Sequence, residues 1–348
     1  MKHLKLSDKN AKITGRYSDD GDVLWLIHSG SAAGFELTAS KAELTLKSDV
    51  DSDTYKEGLP RFAVFVDDML ICDDVTGTEG KKIAVLDSDN EKTVSVKIIH
   101  LSEAQSGAVG IAALEVESYA ADPVIPLPDQ KYSIEFIGDS ITCAYGVESE
   151  CELDMFTTKT ENFMKSYAYL TAQKLDADCS AVSFSGFGVV SAYTDTGIKD
   201  AARLVPDFYL YAGNLPEFRK PWDFEKKHHD IVVVFLGTND INYVAAANEH
   251  EDEFKEGYLS FLKTVREKNP DSFIVCTMGT MGTGNVYKEI EKAVAEFKTF
   301  SDERILCFQS EEQNGADGYG ADWHPSAVTQ QKCADRLSEV LREILQNR

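Results

Sequence analysis

The chain has 348 residues, which is more than one typical domain holds and enough for two, and 43% of them are apolar, which suffices for sizeable cores. Its 35 basic and 59 acidic side chains give a formal charge of −24 at pH 7, which argues against nucleic acid, membrane surfaces and polyanionic substrates and leaves neutral substrates open. The seven cysteines are widely spaced and include no Cys-x-x-Cys pair, so neither a disulfide scaffold nor a zinc site is expected.

Residues 1–121 consist of short apolar runs separated by clusters of Gly, Asp and Ser. Several runs alternate apolar and polar residues, as Ala42, Leu44 and Leu46 do, which is typical of half-buried strands. Many short strands with turns between them predict an all-β sandwich, of jelly-roll type. The predicted strands cover residues 25–28, 35–38, 42–46, 61–66, 82–86, 93–100 and 110–116.

The stretch 122–130 contains Pro123, Pro126 and Pro128. Proline has no amide hydrogen for a β-ladder and favours an extended connection. We therefore predict a linker here, between a domain at 1–121 and a second domain at 131–348. We also expect the first domain to form one wall of the functional site, because so short a linker holds it close.

Beyond residue 130, apolar strands alternate with amphipathic helices. Continuous apolar runs such as 231–236 indicate a parallel sheet covered on both faces, and hence an α/β/α domain with a central parallel sheet. Thr158 and Glu161 are predicted to form a capping box at the first helix. The predicted strands are 133–137, 180–184, 231–236, 272–277 and 304–308, and the predicted helices are 161–175, 252–267, 286–300 and 326–346.

Candidate functional residues occur where these strands end or a helix begins. Ser140 follows the strand that begins the domain, Gly186 and Asn239 follow two others, and Asp322 and His324 precede the last helix. Taken singly, each has a plain structural explanation as a turn, a helix cap or a surface residue. Together they predict one site, because a doubly wound sheet brings the carboxyl ends of its strands to the same edge.

The residue types at this edge suit a serine esterase. Ser140 is the predicted nucleophile and His324 the general base. Asp322 is predicted to hold the imidazole in the correct tautomer. The N–H groups of Ser140 and Gly186 and the side-chain amide of Asn239 are predicted to form an oxyanion hole.

Aromatic side chains near these residues suit a sugar ligand, whose ring faces are partly apolar. Trp323 and Tyr145 are candidates for substrate binding, as is Asp139 beside the nucleophile. Trp222 and Phe187 are more simply explained as core residues.

The blocks containing Ser140, Gly186, Asn239 and His324 resemble those of the SGNH, or GDSL, hydrolase superfamily. The match extends to a two-domain branch, carbohydrate esterase family 2. It includes Arg61-Phe-Ala-Val-Phe-Val-Asp67, His100-Leu-Ser-Glu-Ala104, Gly138-Asp-Ser-Ile-Thr-Cys-Ala-Tyr-Gly-Val147 and Pro221-Trp-Asp-Phe224. This resemblance implies a jelly-roll domain followed by a flavodoxin-like SGNH domain. It also implies a carboxylic ester hydrolase that removes acetyl groups from plant xylan, mannan or glucomannan, or from their oligosaccharides, without a metal or other cofactor.

Two alternative functions stay open from the sequence. One is another SGNH short-chain esterase, lipase or thioesterase, and the other is a carbohydrate-binding protein without catalysis. We expect no nucleic-acid or membrane partner. The amino terminus has no apolar signal core, which predicts a cytoplasmic protein, or a secreted one if a signal peptide has been removed.

Overall fold

Two sheets organise the chain, an antiparallel sheet before residue 127 and a parallel sheet from residue 132 onward. The computed structural model describes residues 1–51, 58–300 and 302–347. The strands of the first sheet are Lys2–Leu4 (β1), Lys12–Thr14 (β2), Tyr17–Asp19 (β3), Leu24–Leu26 (β4), Ala32–Ser48 (β5), Arg61–Val66 (β6), Met69–Val75 (β7), Lys81–His100 (β8), Val109–Glu117 (β9) and Val124–Pro126 (β10).

The antiparallel sheet bends along β5 and β8, which pair over most of their length. The register of this pair shifts between Ala39 and Lys41, where the first half of β5 gives way to the second. The first half also pairs with β2 and β10, and the second half with β9. Phe35 from one half and Leu44 from the other belong to the same buried apolar cluster, so both halves of the bent sheet cover a common core.

The bend explains where the strand predictions differ from the structure. The predicted strands 35–38 and 42–46 are parts of β5, and 82–86 and 93–100 are parts of β8. Residues 87–91 lie at the bend of β8 with largely exposed side chains, so polar residues occur there without ending the strand. The prediction of an all-β first domain is confirmed, and its sheet is antiparallel, whereas the jelly-roll connectivity stays a prediction.

The predicted linker contributes a strand to the first domain. Val124–Pro126 forms β10 and pairs with residues 35–37 of β5. Pro126 is tolerated there because β10 pairs only with β5 and so lies at an edge of the sheet. The chain therefore crosses between the two sheets at 127–131 and not along a free connector.

The parallel sheet confirms the second fold prediction. Its strands are Tyr132–Gly138 (β11), Ala177–Ser183 (β12), Ile231–Phe235 (β13), Phe273–Met278 (β14) and Ile305–Gln309 (β15), in the spatial order β12-β11-β13-β14-β15. The helices are Ser140–Cys143 (α1), Tyr167–Lys174 (α2), Val205–Phe208 (α3), Ile241–Ala246 (α4), Glu249–Lys268 (α5), Val286–Phe300 (α6) and Ala327–Gln346 (α7). The strand order reverses at β11, so the crevice that binds ligands in such sheets lies at its carboxyl end.

The predicted capping box at the first long helix is wrong. This helix, α2, begins at Tyr167, and the side chain of Ser166 caps it by accepting the N–H of Tyr169. Glu161 lies outside the helix, is fully buried and accepts the N–H of Glu103. Glu161, which the sequence pattern placed at a helix end, therefore forms a hydrogen bond between the two domains.

Within residues 1–51, 58–300 and 302–347, no helix is both long and apolar enough to cross a bilayer.

A buried arginine joins the two domains. Arg16, on the first domain, is 1% exposed and lies 3.3 Å from the carboxylate of Glu135 on β11. It also donates to the backbone carbonyls of Tyr209 and Tyr211. The hydroxyl of Tyr209 donates to the other carboxylate oxygen of Glu135 at 2.8 Å. The terminal nitrogens of Arg16 and both carboxylate oxygens of Glu135 are therefore paired out of water, while the buried Nε of Arg16 has no partner among the described residues.

We expect Arg16→Met to lower the free energy of unfolding by about 3–5 kcal/mol, because it leaves the Glu135 carboxylate buried without its cation. Urea denaturation of the full chain at pH 7 measures this loss. Arg16→Met combined with Glu135→Gln is the control and should recover much of the stability, since removing both charges of a buried pair is often nearly neutral. A double variant no more stable than the single one would contradict this account.

Candidate active site

Ser140 is positioned by a turn that only a glycine permits. A Cβ atom at Gly138 would lie 1.9 Å from Oγ1 of Thr142, so β11 passes into α1 without room for a side chain. Ser140 is the first residue of α1 and lines a cleft between the two domains. The backbone N–H groups of a first helical turn have no partner within the helix, so the N–H of Ser140 is suited to donate to a ligand.

Asp139 lies beneath this turn and does not line the cleft. Its side chain is fully buried and accepts the N–H of Ile141 at 3.0 Å. Burial, together with the charge of Asp240, raises the pKa of Asp139 to about 7. The prediction that Asp139 binds substrate is therefore wrong, because the carboxyl group supports the turn from inside the protein.

The structure brings Ser140 and His324 together, as the sequence predicted. Oγ of Ser140 lies 2.9 Å from Nε2 of His324. Nδ1 of the same ring lies 3.1 Å from the carbonyl oxygen of Ala321 and 3.2 Å from that of Asp322. Because carbonyl oxygens only accept hydrogen bonds, Nδ1 carries the hydrogen and Nε2 is left to accept from the serine hydroxyl. Burial lowers the pKa of His324, which favours the neutral base.

The carboxylate of Asp322 does not contact the imidazole, in contrast to the prediction. It accepts the hydroxyl of Tyr145 at 2.9 Å. Asp322 and Trp323 both have left-handed backbone conformations, with φ values of 49° and 61°. This unusual pair turns the backbone carbonyl of Asp322 towards His324 and its side chain away. Backbone carbonyls therefore occupy the place predicted for a carboxylate.

Tyr145 forms one side of the imidazole site. Its ring stacks on Phe156 at 4.1 Å and lies against His324 at 4.3 Å between ring centroids. Burial and the charge of Asp322 raise the pKa of the Tyr145 hydroxyl, which therefore stays protonated as a donor. Tyr145 thus restricts the imidazole ring and ties Asp322 in place, and it also lines the cleft.

The predicted oxyanion donors line the same cleft as Ser140. Gly186 has a φ of 79°, a conformation that side chains disfavour. The amide nitrogen of Asn239 donates to the carbonyl of Phe187 at 2.9 Å and lies 3.4 Å from the Asp139 carboxyl. The bond to Phe187 holds the Asn239 amide, and the bond to Asp139 is the longer and weaker of the two.

A buried carboxylate holds the loop that carries Gly186. Asp240 accepts the backbone N–H groups of three successive residues, Val189, Val190 and Ser191, at 2.8–3.1 Å. Burial raises the pKa of Asp240 to about 6 despite these bonds. This tie links the end of β13 to the loop after β12, so the two predicted donors Gly186 and Asn239 are kept at fixed separation.

The cleft has a volume of about 990 Å³ and is lined by both domains. Trp323 lies at its rim with 51% of its surface exposed, as a residue that binds sugar rings would be. Phe187 is buried in the core and Trp222 packs against it, as expected. Sequence reasoning missed several lining residues, among them Glu103, Gln105, Ser106, Phe156, Tyr193 and Arg203. Among these, only Glu103 had an indication of a role in the sequence, because it lies in the segment 100–104 that resembles carbohydrate esterase family 2.

The other histidine and cysteine side chains of the described residues lie outside this cleft. His28 and His100 are fully buried, and burial lowers the pKa of each to about 3. All seven cysteines are free. The part of the chain that the structure describes contains no group of three or more His, Cys, Asp or Glu side chains that could hold a metal ion.

A serine hydroxyl held against an imidazole, at the carboxyl edge of a parallel sheet, is the arrangement of serine hydrolases. Residues 134–337 match the family described as GDSL-like Lipase/Acylhydrolase, and residues 13–128 match the Carbohydrate esterase 2 N-terminal domain. The chain belongs to the GDSL-like lipase and acylhydrolase family and, with this N-terminal domain, to carbohydrate esterase family 2.

Individual relatives agree with this classification. The chain is 37% identical over 216 residues, or 61% of its length, to the cellulase/esterase CelE of Acetivibrio thermocellus, and spans 25% of that protein. It is 29% identical to an acetylxylan esterase / glucomannan deacetylase of Cellvibrio japonicus, covering 91% of this chain and 85% of the relative. A family two carbohydrate esterase from Clostridium thermocellum, solved in complex with cellohexaose, matches at 28% identity and a TM-score of 0.83, covering 97% and 99% of the two chains.

The hydrogen bonds of His324 lead to a pH prediction for Asp322→Asn. The Asp322 charge raises the pKa of His324, so its removal should lower that pKa and move the acidic limb of the pH–rate profile for ester hydrolysis to lower pH. The plateau rate should fall less than tenfold, far from the roughly 10⁴-fold loss seen when a triad carboxylate is replaced. Tyr145→Phe is the control, because it removes the hydrogen bond and keeps the charge. A plateau reduced by about 10⁴ would contradict the backbone-carbonyl arrangement.

Proposed function

We propose that this protein is a serine O-acetylesterase that removes acetyl groups from plant hemicellulose such as xylan or glucomannan, or from its oligosaccharides. The observation that carries the proposal is the 2.9 Å contact between Oγ of Ser140 and Nε2 of His324 in a cleft shared by both domains. The acetylxylan esterase / glucomannan deacetylase relative supports the same chemistry.

The first half of the reaction transfers the acetyl group to the enzyme. Oγ of Ser140 attacks the acetyl carbonyl carbon while Nε2 of His324 takes the hydroxyl proton. The carbonyl oxygen becomes an oxyanion, and the N–H groups of Ser140 and Gly186 with the Asn239 amide stabilise it. The bond to the sugar oxygen then breaks, and His324 returns its proton to that oxygen, so the sugar leaves as a free hydroxyl.

The second half regenerates the enzyme. A water molecule gives a proton to Nε2 of His324 and attacks the acetyl-Ser140 carbonyl carbon. The Ser140 oxygen leaves, takes the proton back, and acetate departs. In each half the imidazolium forms for a moment, and the carbonyls of Ala321 and Asp322 hold its Nδ1–H.

A neutral sugar chain is the substrate class that the cleft favours. The formal charge of −24 disfavours polyanions. Exposed Trp323 and the ring of Tyr145 offer apolar faces for pyranose rings at the cleft. The relative solved with cellohexaose supports a β-linked chain as ligand. A small acetyl group beside such a chain fits a cleft that extends beyond the reacting atoms.

Mass spectrometry of acetylated xylo- and manno-oligosaccharides before and after incubation tests the proposal. We expect loss of acetyl units from at least one set with the parent chain and no loss with Ser140→Ala, because Ser140 supplies the hydroxyl that His324 activates. Esters of longer acyl chains provide the comparison with a lipase or thioesterase. Faster hydrolysis of the longer esters, or binding without acetate release, would overturn the proposal in favour of one of the alternatives.

Asn239→Ala tests the oxyanion hole. We expect turnover of an acetyl ester to fall about 10²- to 10³-fold with little change in KM, because this amide acts mainly in the transition state. Asn239→Asp is the matched variant that keeps the size and replaces the donor with an acceptor, and it should be at least as impaired. Unchanged turnover in both would exclude Asn239 from the oxyanion hole.

A further inference from the structure

One wall of the cleft is a turn of the β-sandwich domain that touches the loop of Gly186. This turn comprises the short 3₁₀ segment Ala104–Ser106 and Glu103 just before it. The amide nitrogen of Gln105 donates to the carbonyl oxygen of Ser185 at 3.0 Å, and the carboxylate of Glu103 accepts the N–H of Ser185 at 2.8 Å. The first domain thus holds Ser185 on both sides of its Cα atom.

The bond from Gln105 acts on the peptide group that supplies an oxyanion donor. The carbonyl of Ser185 and the N–H of Gly186 belong to the same peptide group. A peptide group is planar and trans, so its C=O and N–H point in opposite directions. When Gln105 holds the carbonyl of Ser185, it therefore also sets the direction of the Gly186 N–H. The same bond polarises the peptide group and makes the N–H a better donor.

The conformation of Gly186 makes the hydrogen bond from Gln105 important for the orientation of the Gly186 N–H. Gly186 has a φ of 79°, and glycine populates several backbone regions at little cost. Without an external contact, the peptide plane before Gly186 has more freedom to rotate. A donor that is not fixed in advance must be ordered during the reaction, which weakens its stabilisation of the transition state.

The orientation of the Gln105 side chain is unambiguous, because both of its partners are acceptors. The nitrogen donates to Glu103 at 2.8 Å and to the Ser185 carbonyl, so the NH₂ group and not the amide oxygen must face them. Glu103 is anchored in turn, since its own N–H donates to buried Glu161 at 2.8 Å. The side chain of Gln105 is therefore held in the domain interface by Glu103, which is itself held by Glu161.

We propose that Gln105, supported by Glu103, is a positioning residue for the oxyanion hole. The β-sandwich domain then sets the geometry of a reaction whose nucleophile and base lie in the other domain. This inference rests on the proposed function and adds a role that belongs to neither the Ser140–His324 pair nor the substrate-binding rim.

The test is Gln105→Met in the full chain, a change that keeps the length of the side chain and removes the donor. With p-nitrophenyl acetate we expect kcat to fall about tenfold, less than the 10²- to 10³-fold loss on removal of a direct donor, and KM to stay within about twofold. The inhibition constant of a boronic acid, which forms a tetrahedral adduct on Ser140, should rise by the same factor as kcat/KM falls.

Lys12→Met is the matched control. Lys12 also joins the two domains, through an ion pair of 2.6 Å with Asp178, and it does not line the cleft. If Gln105 served only to hold the domains together, both substitutions would lower stability and both variants would keep the kcat of the parent protein. We expect Lys12→Met to shift the urea midpoint while kcat, KM and boronic acid affinity stay at parent values.

Parent-like kcat and boronic acid affinity in folded Gln105→Met would overturn the inference. Should that variant fail to fold, Gln105→Ala supports the same comparison, because it adds neither bulk nor charge beside Glu103 and has no donor for the Ser185 carbonyl. Failure of the proposed function has a different signature. In that case the parent chain releases no acetate from sugars, while the ratio of boronic acid affinities between parent and variant still tests the position of the oxyanion donor.

Discussion

The position of β11 in the parallel sheet is the constraint on which the rest of the site depends. The chain places β12 on one side of this strand and β13 on the other, so the loops that leave their carboxyl ends must diverge around a common crevice. Ser140 begins the helix after β11, Gly186 follows β12 and Asn239 follows β13. The three proposed oxyanion donors thus come after three different strands, and the buried Asp240 carboxylate ties two of those loops together.

Backbone carbonyls, in place of a carboxylate, hold the imidazole of His324, the proposed base, and this has an electrostatic consequence. A carboxylate on Nδ1 favours the imidazolium strongly, whereas neutral carbonyls favour it less, so burial prevails and the pKa of His324 is lowered. The histidine is then unprotonated over a wider acidic range. Asp322 still contributes its charge from a distance while it serves Tyr145, so its effect on rate and its effect on pH dependence are separable.

Features that depend on periodicity and strand order could be predicted from the sequence, whereas features that depend on local backbone angles or domain docking could not. Continuous apolar runs placed β13 and β14 correctly, and the strand-end rule brought Ser140 to His324. The contact between the Asp322 carboxylate and His324 was mispredicted because an Asp-Trp pair does not indicate two successive residues with left-handed backbone conformations. Gln105 was missed because its partner lies 80 positions away, across an interface that no local pattern encodes.

That interface is also the reason why the two domains form one functional unit. A β-sandwich that only widened the sugar-binding surface would need few specific contacts, and these would lie at the rim. Here the contacts are polar and lie away from the rim, from the fully buried Arg16 against Glu135 to the partly buried hydrogen bonds that hold Ser185. Buried polar contacts demand defined geometry, since each unsatisfied group costs about 1–3 kcal/mol. Such an interface fixes the first domain in one orientation, and only a fixed domain can hold a peptide plane of the second in the orientation the reaction requires.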